Sequence, residues 1–207
     1  MVHLFTIAQG APFRWSSTID RAPSCVRGYA SYAACVTQSV ELLLDAEADA
    51  AVRADWSTLL DAGLPSQGRN TAATNRPHIT VWAGEYLLGS ADRALATVAP
   101  DLPMPIRLGA LAVFGRRRFI VVRLVVTSIP LLVLQQSVAK ICGVDPGSTL
   151  APGRWTPHVT LARGVTAPEV GRVMDVIGPS PERSAKAVSW RRWDGDARRE
   201  WTPSTDD

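Results

Sequence analysis

Between Val36 and Trp193, hydrophobic and polar residues follow a regular pattern that predicts ten strands and helices. Apolar residues two apart indicate a strand, and apolar residues three or four apart indicate a helix. The predicted order is strand, helix, strand, helix, strand, and then the same five elements again. The strands are predicted at about 40–44, 78–81, 106–114, 119–126, 158–161 and 184–193, and the helices at about 46–62, 90–99, 128–142 and 166–177.

Polar and small residues mark the ends of the predicted helices. Asp45 is a candidate N-cap for the first helix, and Gly63 follows its last apolar residue. Thr166 and Glu169 have the spacing of a capping box, in which each residue satisfies a backbone donor near the helix start. The end signals therefore agree with the hydrophobic pattern.

One five-residue pattern occurs twice, as Pro77-His78-Ile79-Thr80-Val81 and as Pro157-His158-Val159-Thr160-Leu161. The two copies contain two of the three histidines in the chain. Because residues two apart share one face of a strand, each histidine points with its threonine, and the apolar residues between them point to a core. A proline before each histidine suits the first position of a strand.

The interval between the two motifs, about 80 residues, agrees with the interval of about 81 between the first strands of the two halves. This agreement indicates a duplicated chain with lobes at about 36–114 and 119–193, related by a pseudo-twofold axis. We predict an α+β fold with two mainly antiparallel sheets that flank a central cleft, faced by both motif strands. The domain should span 36–196, between an irregular extension at 1–35 and a disordered tail at 197–207.

Two imidazoles and two hydroxyls in one cleft suit in-line displacement at phosphorus. Histidine has an ordinary pKa of about 6.5, so one ring can accept a proton from the attacking group while the other donates a proton to the departing oxygen. Thr80 and Thr160 can donate hydrogen bonds to the phosphate oxygens that gain charge in the transition state. This chemistry requires neither a metal ion nor an organic cofactor.

The paired His-x-Thr-x motifs in a duplicated chain resemble those of the 2H phosphoesterase superfamily, in particular the bacterial 2′-5′ RNA ligases and RNA 2′,3′-cyclic phosphodiesterases. The resemblance covers roughly Val36 to Trp193. It implies a bilobal α+β fold without a metal, and the opening of 2′,3′-cyclic phosphates to 2′-phosphates. His78 and His158 would be the acid–base pair, with Thr80 and Thr160 as phosphate donors. We assign His78 to the leaving 3′ oxygen and His158 to the attacking water.

The resemblance implies that the partners are RNA ends or small nucleotides that carry a cyclic phosphate. Arg163 matches a basic residue that follows the second motif in this branch, and Arg154 is a second candidate to meet substrate phosphate. Trp155 is a candidate for stacking on a base, with core packing as the alternative. The arginines at 116–118 are either a solvated hairpin tip or a contact to an RNA strand.

Several alternatives remain open from the sequence. The same residues serve 2′-5′ ligation, as the reverse reaction, and cleavage of 2′-5′-linked or cyclic oligonucleotides. A non-catalytic RNA-binding module could keep the fold, but it would not need two histidines suited to proton transfer. A zinc site would need three or four protein ligands, and no third histidine or cysteine stands at a suitable spacing.

Composition limits the partners and the cellular compartment that we expect for the protein. The formal net charge is +3, carried almost wholly by arginine, which is compatible with phosphate-bearing partners but low for a protein that coats nucleic acid. The three cysteines form no C-x-x-C pair and suggest a reducing compartment. With no signal-like segment and no apolar run of about 20 residues, we expect a cytoplasmic monomer without a membrane contact.

Overall fold

The computed structural model of the chain describes residues 38–179 and 181–205. The predicted extension at 1–35 lies outside the described residues. The strands are β1 Gln38–Leu44, β2 His78–Gly84, β3 Met104–Gly115, β4 Phe119–Val125, β5 His158–Val165, β6 Arg183–Asp194 and β7 Arg199–Trp201. The helices are α1 Ala46–Asp61, α2 Ala91–Ala96, α3 Ile129–Ile141 and α4 Ala167–Ile177, and Gln67–Arg69 form a short 3-10 turn.

The predicted caps begin the helices that follow them. Asp45 Oδ1 accepts a 2.9 Å hydrogen bond from the N–H of Ala48, which satisfies one of the unpaired donors at the start of α1. The N–H of Thr166 donates to Glu169 Oε2 at 2.8 Å, so the predicted capping box is present at α4. Local sequence therefore fixes where these two helices begin.

All pairings between the described strands are antiparallel, and the order of the strands is β2-β1-β6-β3-β4-β5, with β7 added beside β6. This order has an internal symmetry. Counted from one end, the first three strands are β2, β1 and β6. Counted from the other end, they are the equivalent strands β5, β4 and β3. The two predicted lobes therefore exchange their last strands. β3 of the first half pairs with β4 of the second, and β6 of the second half pairs with β1 of the first.

The predicted α+β class and antiparallel strands are confirmed, but the two predicted sheets are joined into one hydrogen-bonded path. β3 and β6, at 12 residues each, are long enough to pair with two partners in succession. The first part of β6 pairs with β3, from Arg183 opposite Leu108 to Ala187 opposite Met104. Its second part pairs with β1, as far as Asp194 opposite Gln38.

Helices α1 and α3 bury their apolar faces in one hydrophobic core with the sheet. Val52 and Leu59 of α1 and Leu131 and Val138 of α3 are fully buried there. At about 25 cal/mol for each Å² of apolar surface removed from water, such burial is the main stabilising term of the fold. Among the described residues, no helix is both long and apolar enough to cross a membrane.

The predicted disordered tail at 197–207 is wrong where the chain forms β7. Asp194 Oδ1 accepts 2.9 Å hydrogen bonds from the N–H groups of Asp196 and Ala197, which turns the chain back on β6. β7 then pairs with β6, and the indole N–H of Trp201 donates to Asp92 Oδ2 at 2.9 Å. A side-chain turn and one aromatic contact therefore order a segment with little hydrophobic pattern.

Candidate active site

Strands β2 and β5 lie at opposite ends of the hydrogen-bonded path, yet they contact each other. The sheet therefore curves until its two ends meet. Each motif histidine is the first residue of its strand, His78 in β2 and His158 in β5. The duplication and the curvature together bring both motifs to one place.

The motif residues alternate between the core and the opposite face, as predicted. Ile79, Val81, Val159 and Leu161 are at most 1% exposed. His78, Thr80 and His158 are half-buried, and Thr160 is buried. The apolar members thus anchor each strand in the core, and the opposite face holds the imidazoles and hydroxyls.

Two tryptophans connect the motif strands across the halves of the chain. Trp56 of α1 donates its indole N–H to the carbonyl oxygen of Thr160 at 3.0 Å, and Trp155, just before β5, donates to the carbonyl oxygen of Thr80 at 3.0 Å. Both rings are buried, so the two bonds are shielded from water. Each half of the protein therefore fixes the motif strand of the other half.

Both histidines are held through the same ring nitrogen. His78 Nδ1 lies 2.7 Å from the carbonyl oxygen of Arg76, and His158 Nδ1 lies 2.7 Å from the carbonyl oxygen of Thr156. Because a carbonyl oxygen only accepts hydrogen bonds, each Nδ1 must be the donor. This fixes the tautomer of the neutral rings and leaves each Nε2 available for a proton transfer.

The carboxylate of Glu41 lies beside the Nε2 of His78. Glu41 Oε1 is 3.5 Å from this nitrogen, and Glu41 is only 4% exposed. Burial raises the pKa of Glu41, but the charges of His78 and Arg191 and the hydroxyl of Ser39 outweigh it, so the pKa lies below its ordinary value. Glu41 is therefore a buried anion next to one of the two imidazoles.

His158 has a different environment. The ring of Phe114 meets the imidazole edge-on, with centroids 5.1 Å apart and planes at 74°. Burial lowers the pKa of His158, and the charges of Arg163 and His78 lower it further, against the opposing effect of the Thr156 carbonyl. The two imidazoles are thus near enough for the charge of a protonated His78 to act on His158.

A cavity of about 320 Å³ adjoins His158. The cavity is lined by Phe114, Thr149, Leu150, Arg154, Trp155, Thr156 and His158. An aromatic wall with a few polar groups is typical of small-molecule sites. A larger groove of about 890 Å³ lies near Asp45, Arg107 and Lys186, but neither motif histidine lines it, so the smaller cavity is the one next to the candidate chemistry.

The structure distinguishes the other predicted site residues. Arg154 and Arg163 are exposed, and the charge of Arg163 reaches His158. Trp155 is buried with its N–H already bonded, so it lines the cavity as a wall and is not a free stacking platform. Sequence reasoning missed Glu41, although a single acid within the apolar run of β1 was a visible signal.

Comparison with known proteins identifies the family. A model of the 2′-5′ RNA ligase superfamily matches residues 45–197, about three quarters of the chain. The chain therefore belongs to the 2′-5′ RNA ligase superfamily, the 2H phosphoesterases, as the motifs predicted. This membership makes it an enzyme that acts on phosphodiester bonds.

Solved structures that are similar to this chain include LigT of Escherichia coli in its apo form, at 16% identity, with a TM-score of 0.49, over 80% of this chain and 92% of that one. LigT complexed with NADP+ gives 16% identity, the same coverage and a TM-score of 0.46. A protein described as a phosphoesterase gives 16% identity and a TM-score of 0.45, over 82% of this chain and 95% of that one. No curated protein matches the sequence.

Proposed function

We propose that the protein is a metal-independent phosphodiesterase that hydrolyses the 2′,3′-cyclic phosphate ends of RNA or nucleotides to 2′-phosphates. The observation that carries this proposal is the matched pair of imidazoles on strands that meet. In both rings Nδ1 donates a hydrogen bond to a backbone carbonyl oxygen, so the Nε2 atoms of His78 and His158 remain available for acid–base chemistry. Two histidines of this kind supply both proton transfers of an in-line displacement.

The proposed reaction balances with these two residues alone. A water oxygen attacks phosphorus opposite the 3′ oxygen, and one Nε2 accepts the proton that the water loses. The bond between phosphorus and O3′ breaks with its electron pair on O3′, and the other Nε2 donates its proton to that oxygen. The products are a 2′-phosphate and a 3′-hydroxyl, and the two rings have exchanged protonation states. The hydroxyls of Thr80 and Thr160 would donate to the non-bridging oxygens.

The surroundings of His158 support a nucleotide substrate. We assign the cavity beside this histidine to the nucleoside, because Phe114 and Trp155 provide an apolar wall next to the candidate chemistry. Arg154 also lines the cavity, and the charge of Arg163 reaches His158, so both can attract the phosphate. RNA ends and free nucleotides would present the same terminal group to this site.

Product analysis tests the proposal most directly. Nucleoside 2′,3′-cyclic phosphates should be hydrolysed in the presence of EDTA, and phosphorus NMR should identify 2′-phosphates as the only products. The double variant His78→Ala/His158→Ala, purified in the same way, controls for a contaminating nuclease. Loss of activity on chelation, or a 3′-phosphate product, would contradict the proposed mechanism.

Membership of the 2′-5′ RNA ligase superfamily favours one second candidate, which is ligation as the reverse reaction. The same two histidines would then activate a 5′-hydroxyl in place of water. RNA with cyclic phosphate and 5′-hydroxyl ends should be tested alongside the nucleotides, together with 2′-5′-linked oligonucleotides. A binding module would instead hold RNA without turnover and with an affinity that falls as salt rises.

A further inference from the structure

The two motif histidines make the same Nδ1 bond, but the carbonyl groups that accept it are held in different ways. The carbonyl that accepts from His158 belongs to Thr156, which follows the buried Trp155. The backbone N–H of Trp155 donates to the carbonyl oxygen of Ala151 at 3.0 Å, and its indole N–H donates to Thr80. Ala151 is buried as well. Buried side chains and a short-range backbone bond therefore fix the segment before β5.

The segment before β2 has no anchor of this kind. None of the side chains of residues 70–76 is buried. Asn75 Nδ2 donates to the carbonyl oxygen of Gln67 at 3.0 Å, and Arg53 Nη2 donates to the carbonyl oxygen of Asn75 at 3.3 Å. The segment that carries the carbonyl for His78 is therefore held by polar contacts, and its position depends on the residues that make them.

Glu200 of β7 joins two arginines at this segment. Glu200 Oε1 lies 2.9 Å from Arg76 Nη2, and Glu200 Oε2 accepts a hydrogen bond from Arg191 Nη1. Arg191 Nη2 donates in turn to the carbonyl oxygen of Thr74 at 3.1 Å. Thr74 and Arg76 are thus held from β6 and β7, and the carbonyl of Arg76 is the one that accepts from His78 Nδ1.

Trp201 anchors β7 on the other face of the sheet. Successive side chains of a strand point to opposite faces, so Trp201 and Glu200 diverge. The indole N–H of Trp201 donates to Asp92 of α2 at 2.9 Å, and the guanidinium of Arg192 lies 5.0 Å from the centroid of the Trp201 ring. Because β7 is bonded on both faces, the carboxylate of Glu200 has a fixed place beside Arg76.

We propose that Glu200 is a positioning residue for His78, and that β7 thereby completes the candidate active site. By bridging Arg76 and Arg191, the carboxylate holds the backbone carbonyl that sets the orientation of the imidazole. This role deepens the proposed function and rests on it. β7 begins at Arg199, after the last residue that the family model matches, so the role belongs to a part of the chain that did not identify the family.

The effect of Glu200 should be on the orientation of the ring and not on the stability of the fold. The side chains of Arg76 and Glu200 are 37% and 32% exposed, and ion pairs that are this open to water stabilise a fold only weakly. The rate is more sensitive, because a proton transfer in an in-line displacement requires Nε2 of His78 within hydrogen-bond reach of the reacting oxygen.

Proton exchange at the imidazoles tests the proposal without an activity assay. A hydrogen-bonded N–H exchanges with water when its bond opens, so the exchange rate of each Nδ1–H reports how firmly its carbonyl is held. The rates should be measured by NMR saturation transfer from water, with signals assigned from a His158→Gln variant. In Glu200→Gln we expect exchange at His78 to be about tenfold faster and exchange at His158 to be unchanged. An unchanged rate at His78 would overturn the proposal.

Kinetics on a nucleoside 2′,3′-cyclic phosphate test the consequence for the reaction. Glu200→Gln should lower kcat about tenfold without raising KM, at an unchanged Tm, because the carboxylate acts on the ring and not on the substrate. Arg76→Gln removes the other partner of the bond. The double variant should lose less than the product of the two single losses, since the two residues act through one contact. Losses that multiply, or a loss confined to KM, would contradict the proposed role.

Glu182→Gln is the matched control, because it removes a surface carboxylate that pairs with an arginine, Arg107, outside the candidate site. Its exchange rates and its kcat should equal those of the wild type, and a loss equal to that of Glu200→Gln would overturn the proposal. If the wild type hydrolyses no cyclic phosphate, the proposed function fails, and the exchange rates still decide the role of Glu200. If Glu200→Gln does not fold, Arg76→Gln provides the same comparison.

Discussion

The pair of strands β1 and β2 and the pair β4 and β5 share one backbone design with different buried charges. Opposite residues are Leu43 with His78 and Glu41 with Thr80 in the first pair, and Leu124 with His158 and Val122 with Thr160 in the second. The Nδ1 bonds have the same length, and so do the tryptophan bonds to the two threonine carbonyls. The duplication has therefore kept the geometry of the two halves.

The buried charge lies on opposite faces of the sheet in these two pairs of strands. In the first half Glu41 faces the candidate site and lies beside His78. In the pair of β4 and β5 the buried charge is Arg123, which pairs with Asp55 of α1 at 2.8 Å and so belongs to the helix-covered face. The two copies of the motif therefore have surroundings of different charge, although their backbone geometry is alike.

Removing either imidazole gives the largest effect that we expect. His78→Ala and His158→Ala should each lower kcat/KM on a cyclic phosphate by about 10² to 10⁴, because each ring transfers one proton in the same transition state. The double variant should be little worse than the single variants, since residues that act as a unit are not additive. Steady-state kinetics on the three variants provide the measurement.

His3→Ala is the matched control for these variants, because it removes the one histidine outside the motifs. Its rate should equal that of the wild type. If His78→Ala or His158→Ala kept wild-type activity, that histidine would not take part in the reaction. The two halves would then not each contribute one proton transfer.

The threonine hydroxyls should contribute less than the imidazoles and equally in the two halves. Thr80→Val and Thr160→Val should each raise the barrier by about 3 kcal/mol if the hydroxyl donates to a phosphate oxygen. Valine keeps the shape, so the loss should appear in kcat at unchanged stability. Thr97→Val, at the exposed end of α2, is a matched substitution away from the site. An effect confined to one motif threonine would show that only one half binds the phosphate.

The sequence predicted the elements of the fold because the signals for strands, helices and caps come from residues close together in the chain. The alternation around Val40 and the spacing around Val52 depend on residues within one strand or helix, and the caps at Asp45 and Thr166 depend on neighbours three positions away. The repeated motif located the candidate site for the same reason. The order of the duplicated elements was enough to predict the α+β class.

Features that depend on distant partners were not predictable in this way. The ion pair of Glu41 joins residues 150 positions apart, and β7 is ordered by Trp201 reaching Asp92, 109 positions away. The joining of two sheets into one path depends on β6 crossing to the first half of the chain. A single sequence does not show which distant residues come into contact. The repeated motif therefore located the candidate site but did not show how the surroundings of the two histidines differ.

The smallest expected effect is a pH dependence of stability that arises from His158 alone. Burial and the charges of Arg163 and His78 hold the pKa of His158 below its ordinary value. The folded state therefore binds fewer protons than the unfolded state below about pH 6.5. The free energy of unfolding should fall as pH falls through this range, until the folded pKa is passed.

Urea denaturation at pH 7.5, 6.5 and 5.5 should show a steeper loss of stability for the wild type than for His158→Gln, which cannot titrate. His78→Gln is the matched control, because it removes the other motif imidazole. Equal flattening by both variants would show that the surroundings of the two histidines do not differ in effect.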